Sequence, residues 1–262
     1  MRNSTIVASI ALLAFSAYWA SGADPAGSWK SIPLIEGGKV APGWGHVGYG
    51  ALVVDGETLR TDADERGLGL LVYTKERLGN CRIRVVYRCK DAKSNAGVFI
   101  RMDEGILNWV DKPSLAVKRE ANGKLSPAML EKMKEASETE QGAWYAVHHG
   151  YEVQIMDSAD AMHRTGAIYS LAPAVAVPAK SADAWRTMVI TLAGSRVRVE
   201  LDGTQVSQLD TEAKDNPPRK NWTGPRRDAK RPAARYIGLQ VHDPGDVVYF
   251  KEISVQPLSM QP

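Results

Sequence analysis

The chain has 262 residues, of which 44% are hydrophobic and 24% charged, and a formal net charge of +3. A charge so nearly balanced argues against nucleic acid as the main partner. Beyond the N-terminal region no stretch is apolar enough to span a bilayer, so no membrane association is expected of the mature chain.

The N-terminus opens with Met1-Arg2, continues with an apolar run over residues 6–14, and reaches small residues at Ser21-Gly22-Ala23 before Asp24. That order predicts a secretory signal peptide over residues 1–23, and hence a secreted or periplasmic protein. The rest, residues 24–262, is long enough for one large β domain with its own core.

Short runs with β patterning then recur between turn signals. Residues 51–54 and 58–61 flank Asp55-Gly56 and predict a hairpin. Residues 68–73, 81–89 and 96–102 follow as strands. In the second of these, Cys81 and Cys89 share a face with Ile83 and Val85. Eight steps along one strand separate them by about 27 Å, whereas a disulfide needs about 5.5 Å. Both are therefore expected as free, buried thiols.

Residues 103–142 break the rhythm. Ser126-Pro127 reads as an N-cap and first helical position, predicting a short helix over 128–137. The segment is an insertion between strands, either a solvated excursion or a lid over a sheet face. Strands are expected again at 151–156, 167–170, 187–193, 196–201, 204–209, 237–241 and 247–255, with Asp202-Gly203 closing a second hairpin. The basic, proline-interrupted segment containing Arg219, Lys220, Arg226, Arg227, Lys230 and Arg231 reads as a solvated loop. So many short strands with so little helix predict an all-β fold, an antiparallel sandwich or jelly roll.

Two strands stand out chemically. In Gly150-Tyr151-Glu152-Val153-Gln154-Ile155, period 2 puts Tyr151, Val153 and Ile155 on one face and Glu152 and Gln154 on the other. In Asn95-Ala96-Gly97-Val98-Phe99-Ile100-Arg101, it puts Asn95, Phe99 and Arg101 opposite the apolar set. If the polar faces share a surface, a carboxylate, a guanidinium, amides and a ring converge, as a polyhydroxylated ligand requires. The bland alternative is a cross-strand Glu152–Arg101 ion pair.

Other chemistries lack support. No dinucleotide fingerprint, phosphate loop, paired His-Glu zinc helix or serine elbow is present, and the pairs Gly48/Gly50 and Gly67/Gly69 read as turn glycines. His148, His163 and Asp157 are a conceivable metal donor set, but their spacing is not diagnostic. Glu152 and Asp157, five positions apart, point to opposite faces of an unbroken strand, which does not suit a two-carboxylate glycosidase.

Seven motifs in order resemble the 3-keto-disaccharide hydrolase family, whose members are 3-keto-glucoside 1,2-lyases and 3-keto-2-hydroxy-glucal hydratases. They are Ser94-Asn95-Ala96-Gly97-Val98-Phe99-Ile100-Arg101, Gly150-Tyr151-Glu152-Val153-Gln154-Ile155, Thr165-Gly166-Ala167-Ile168-Tyr169 and Ala184-Trp185-Arg186-Thr187. Leu201-Asp202-Gly203, Ile237-Gly238-Leu239-Gln240-Val241-His242 and Val248-Tyr249-Phe250-Lys251-Glu252-Ile253 complete the series. The family's opening Phe-Asn-Gly segment is replaced here by Leu34-Ile35-Glu36-Gly37-Gly38, and Arg186 stands where the family often has Asn.

The resemblance implies a concanavalin-like jelly roll of two antiparallel sheets, the concave one binding sugar. It also implies a 3-keto-glycoside or oligosaccharide as partner. A ketone at C3 acidifies the hydrogen on C2, so one base, one oxyanion stabiliser and one proton donor suffice without a cofactor, the alternative electrophile being a metal held by histidines. On this reading Glu152 is the base, Arg101 faces the enolate, and His148 or His149 protonates the leaving group. Asn95, Gln154, Tyr169, Gln240 and His242 hold sugar hydroxyls. The rival functions are a non-catalytic carbohydrate-binding module on the same fold and a secreted interaction domain.

Overall fold

The structure, a computed structural model, describes residues 23–25, 27–176, 183–214 and 232–260. Residues 1–22 of the expected leader and the basic segment 219–231 lie outside the described residues. In chain order the first strands are β1 (Ala23–Pro25), β2 (Lys30–Ile32), β3 (Ile35–Glu36), β4 (Lys39–Val40) and β5 (Trp44–Gly48). Next come β6 (Ala51–Asp55), β7 (Thr58–Asp62), β8 (Gly69–Leu78), β9 (Cys81–Cys89) and β10 (Ala96–Met102). A 3-10 helix (Glu104–Trp109), α1 (Pro127–Glu138) and α2 (Ala143–His149) follow. The chain then forms β11 (Tyr151–Ile155), β12 (Arg186–Ala193), β13 (Arg196–Leu201), β14 (Thr204–Asp210), β15 (Arg235–Val241) and β16 (Val248–Met260).

These strands make an antiparallel sandwich. The larger sheet runs β14-β13-β12-β9-β16-β7-β6, with β1 and β2 also paired to β16. The smaller runs β11-β10-β15-β8-β5. The alternation in β9 explains the packing. Cys81, Ile83, Val85 and Tyr87 are buried, while Arg82, Arg84 and Arg88 lie on the other face. Those inward residues meet Val98, Ile100, Tyr151, Val153, Ile237 and Leu239 of the smaller sheet in one core. Each fully buried aliphatic side chain contributes about 1.5–3 kcal/mol. Cys81 and Cys89 are both free thiols, and burial pushes each up to about 12.

The hairpins follow from local chemistry. Asp202 and Gly203 both take positive φ, 50° and 84°, as a two-residue turn between Leu201 and Thr204 demands. The Asp202 carboxylate also accepts the Thr187 N–H at 2.9 Å. The strand expected at 167–170 does not form. Gly166 turns the chain at φ 85°, and Leu171 and Ala172 both donate back to the Ile168 carbonyl, leaving only isolated bridges at Ile168.

The insertion is a roof rather than a solvated excursion. Asp103 caps the 3-10 helix by accepting the Gly105 N–H, and Ser126 caps α1 by accepting the Met129 N–H at 3.1 Å. The outer face of the smaller sheet supplies Val47, Leu70, Val72 and Phe99; the insertion covers them with Ile106, and helix α2 after it with Ala143, Ala146 and Val147, the two together forming the roof. A second apolar core results. Polar ties hold its flanks. Tyr49 donates to the Ser114 carbonyl at 2.6 Å, Val117 N–H to the Arg66 carbonyl at 2.5 Å, and Arg119 pairs with Asp243 at 3.5 Å.

Candidate functional site

Between the roof and the smaller sheet lies a cavity of about 220 Å³. Antiparallel pairing builds its floor. β10 sits between β11 and β15, with Gly97 opposite Gln154, Phe99 opposite Glu152, and Phe99 opposite Gly238 on the other side. Alternation then puts Glu152, Gln154, Gln240 and His242 on the roofed face. All four line the cavity, with Asn95 from the entry to β10 and Tyr169 from the turn after β11. Tyr169 is fixed there because its N–H donates to the Glu152 carbonyl at 2.9 Å, while its ring leans on His163 at 4.7 Å. His163 is in turn held between Asp160 (2.8 Å) and Ser170 (3.2 Å).

The floor is buried and polar. Glu152 is 5% exposed and Gln240 3%. The Glu152 carboxylate lies over Gly97, where a Cβ would come within 2.6 Å of Oε1. Gln154 Oε1 accepts the Ile155 N–H at 2.9 Å, which orients the side-chain amide. Asn95 Oδ1 and Gln240 Oε1 are buried acceptors with no protein donor among the described residues. Such orphans cost about 1–3 kcal/mol each, and the side chains that carry them line the cavity.

His242 is the titratable centre. Burial opposes its protonation, but the hydrogen bond to Asp246 Oδ2 (3.3 Å) and the charges of Asp243, Glu152 and Asp246 outweigh that. Its pKa is raised above the ordinary 6.5. A carboxyl group and an imidazole of raised pKa thus face one cavity, the imidazole oriented by the Asp246 carboxylate behind it.

Three residues expected at the site are elsewhere. Arg101 does not reach the cavity. The β10–β15 register shifts between Phe99 and Met102, and Arg101 takes φ 50°. This bulge reverses the alternation. Met102 joins Phe99 under the roof, while Arg101, 1% exposed, sends Nη2 to the Gly194 carbonyl at 2.5 Å and has Tyr151 and Cys81 for electrostatic neighbours. His148 and His149 end helix α2 and face the insertion. His148 Nε2 meets Ser137 Oγ at 3.0 Å. His149 Nε2 meets Glu140 Oε2 at 2.7 Å, and its ring stacks on Tyr145 at 4.2 Å.

The conceivable metal donors are likewise dispersed. Asp157 accepts from Thr165 and pairs with Arg186 at 3.1 Å, and His163 is held by Asp160. Among the described residues no three His, Cys, Asp or Glu side chains gather to hold a metal ion.

Sequence reasoning missed the roof's contribution and the partner of His242. Met133, Leu115 and Val117 line the cavity from the insertion, Trp144 from helix α2, and Tyr49 from the β5–β6 turn. Gly48 and Gly50, which bracket Tyr49, take positive φ of 80° and 72° and so serve as turn glycines. The spacing His242–Asp246, i to i+4 in a turn, was the available signal for that pair.

Solved structures share the fold. A candidate glycosyl hydrolase from Parabacteroides distasonis superposes with a TM-score of 0.56 at 19% identity, covering 88% of this chain and all of that one. A Bacillus subtilis protein of unknown function with a galectin-like fold gives 0.52 at 10% identity, covering 89% and 100%. A second P. distasonis candidate glycosyl hydrolase gives 0.51 at 12%, covering 85% and 91%. At such identities the likeness is one of architecture. No curated protein matches the chain in sequence. Residues 29–256 match the family model of the 3-keto-alpha-glucoside-1,2-lyase-like domain, and the chain belongs to that carbohydrate-related family.

Proposed function

We propose that this chain is an exported enzyme that cleaves 3-keto-glycosides by elimination across C1–C2. The observation that carries the reading is the cavity floor: a buried Glu152 carboxyl group and the His242 imidazole, whose pKa is raised, share one cavity with the side-chain amides of Asn95, Gln154 and Gln240.

The ketone at C3 makes the C2 hydrogen acidic. Glu152 removes it, and the electron pair enters the C2–C3 bond as an enolate. The enolate re-forms the ketone while the C1–O bond breaks, leaving a C1–C2 double bond. The His242 imidazolium donates its proton to the departing glycosidic oxygen. His242 takes the donor role expected of His148 or His149, because it lies in the cavity and its pKa is raised. Amide N–H groups of Gln154 and Gln240 are the nearest replacement for Arg101 at the enolate oxygen. Asn95, Tyr169 and the Gln240 carbonyl hold hydroxyls. A water added at C1 completes hydrolysis. A positioned general base of this kind contributes about 10²–10⁴-fold.

The test is incubation of the full chain with a 3-keto-glucoside, following free aglycone by chromatography and the enone by ultraviolet absorbance. Catalytic release of both supports the reading. Saturable binding without release indicates a carbohydrate-binding module instead.

A further inference from the structure

The cavity has two chemically different walls. The sheet supplies the polar floor, whereas the insertion supplies Leu115, Val117, Leu125 and Met133, and helix α2 supplies Trp144 and Val147. Against these six apolar residues the insertion brings three polar ones, Ser114, Arg119 and Gln141, and the charged one, Arg119, is engaged by Asp243 at 3.5 Å. A keto-sugar seated on the floor, its C2 toward Glu152 and its C1 oxygen toward His242, directs the substituent on C1 to the remaining space. That space is walled by the roof.

We propose that the roof is an aglycone subsite for an apolar, ring-shaped alcohol, so that the enzyme prefers 3-keto-glucosides of such alcohols to 3-keto-disaccharides. This rests on the elimination reading above. A second sugar would bury several hydroxyls against a wall with few partners for them, which is unfavourable. A flat apolar ring would instead meet the Trp144 indole and the adaptable Met133 thioether, both favourable neighbours for an aromatic group. The roof is fixed by its own core and by ties on both flanks, so the subsite is formed before the ligand arrives.

The experiment compares benzyl 3-keto-glucoside with a 3-keto-disaccharide. Benzyl alcohol leaves nearly as reluctantly as a sugar hydroxyl, so leaving-group chemistry does not decide the result. The benzyl substrate is expected to have a kcat/KM at least about tenfold higher. Trp144→Ala and Met133→Gln are each expected to lower the ratio of the two kcat/KM values, benzyl over disaccharide, by about tenfold. Equal or better turnover of the disaccharide by wild type, or equal losses on both substrates in both variants, overturns the proposal. If neither substrate is cleaved, the elimination reading fails, and calorimetry with the same two ligands still decides the subsite. Tighter binding of the benzyl compound supports it, and equal binding overturns it.

Discussion

The carboxylate of Glu152 occupies the space over Gly97 of the neighbouring strand, where a Cβ would fall 2.6 Å from Oε1 and 2.8 Å from Cγ. A glycine in a strand interior normally costs stability relative to alanine, by roughly 0.5–1 kcal/mol. Here it leaves room for a functional group. Gly97→Ala is therefore expected to push the carboxylate aside, destabilising by about 1–3 kcal/mol and lowering kcat by about 10²-fold, since a displacement near 1 Å has that effect on a positioned base. In a Glu152→Ala background the clash is gone, so adding Gly97→Ala should be neutral or stabilising. Denaturant unfolding of the four proteins in this cycle measures the coupling, and an additive cycle would show that the two residues do not compete for one space.

His242 sets the pH dependence. Its folded pKa is raised above 6.5 despite burial, through Asp246, Asp243 and Glu152. The stability this contributes is fully present below about pH 6.5 and is lost as pH rises through the folded value. Activity, needing the imidazolium, should have a falling alkaline limb positioned above pH 6.5. Asp246→Asn removes a hydrogen-bonding charge and should move that limb downward. A pH–rate profile of the two proteins checks this, and an unmoved limb would separate His242 from the proton transfer.

Arg101 should be dispensable for chemistry. It is buried by the core, and burial lowers its pKa from the usual arginine value. Its Nη2 donates to the Gly194 carbonyl. Replacing such a group by an apolar side chain of similar length is often close to neutral. Arg101→Met should thus keep kcat within about threefold, and its unfolding free energy should shift by at most about 1–2 kcal/mol. A fall in kcat of about 10²–10³-fold would instead mark it as an oxyanion stabiliser.

How far the sequence could be read depended on which physical signal was present. Period-2 alternation delivered β9, β10 and β13 with the bounds found in the structure. Ser126-Pro127 announced α1, because capping is a local interaction. The same alternation misplaced Arg101, since a one-residue bulge reverses every side chain beyond it and no residue type in Ile100-Arg101-Met102 signals it. Helix α2 escaped notice because its seven residues are too few for a helical period to emerge. The roofing of the sheet by Ala143, Ala146 and Val147 is a tertiary contact with Leu70 and Phe99. Nothing local in the insertion distinguishes it from a surface excursion.

The central claim is that Glu152 takes the proton from C2. Its most direct test is nuclear magnetic resonance of C2 deuterium loss from a C2-deuterated 3-keto-glucoside, comparing wild type with Glu152→Gln at matched folding stability. The account predicts rapid deuterium loss with wild type and loss slowed by about 10²–10⁴-fold in the variant. Equal rates in the two proteins would contradict it.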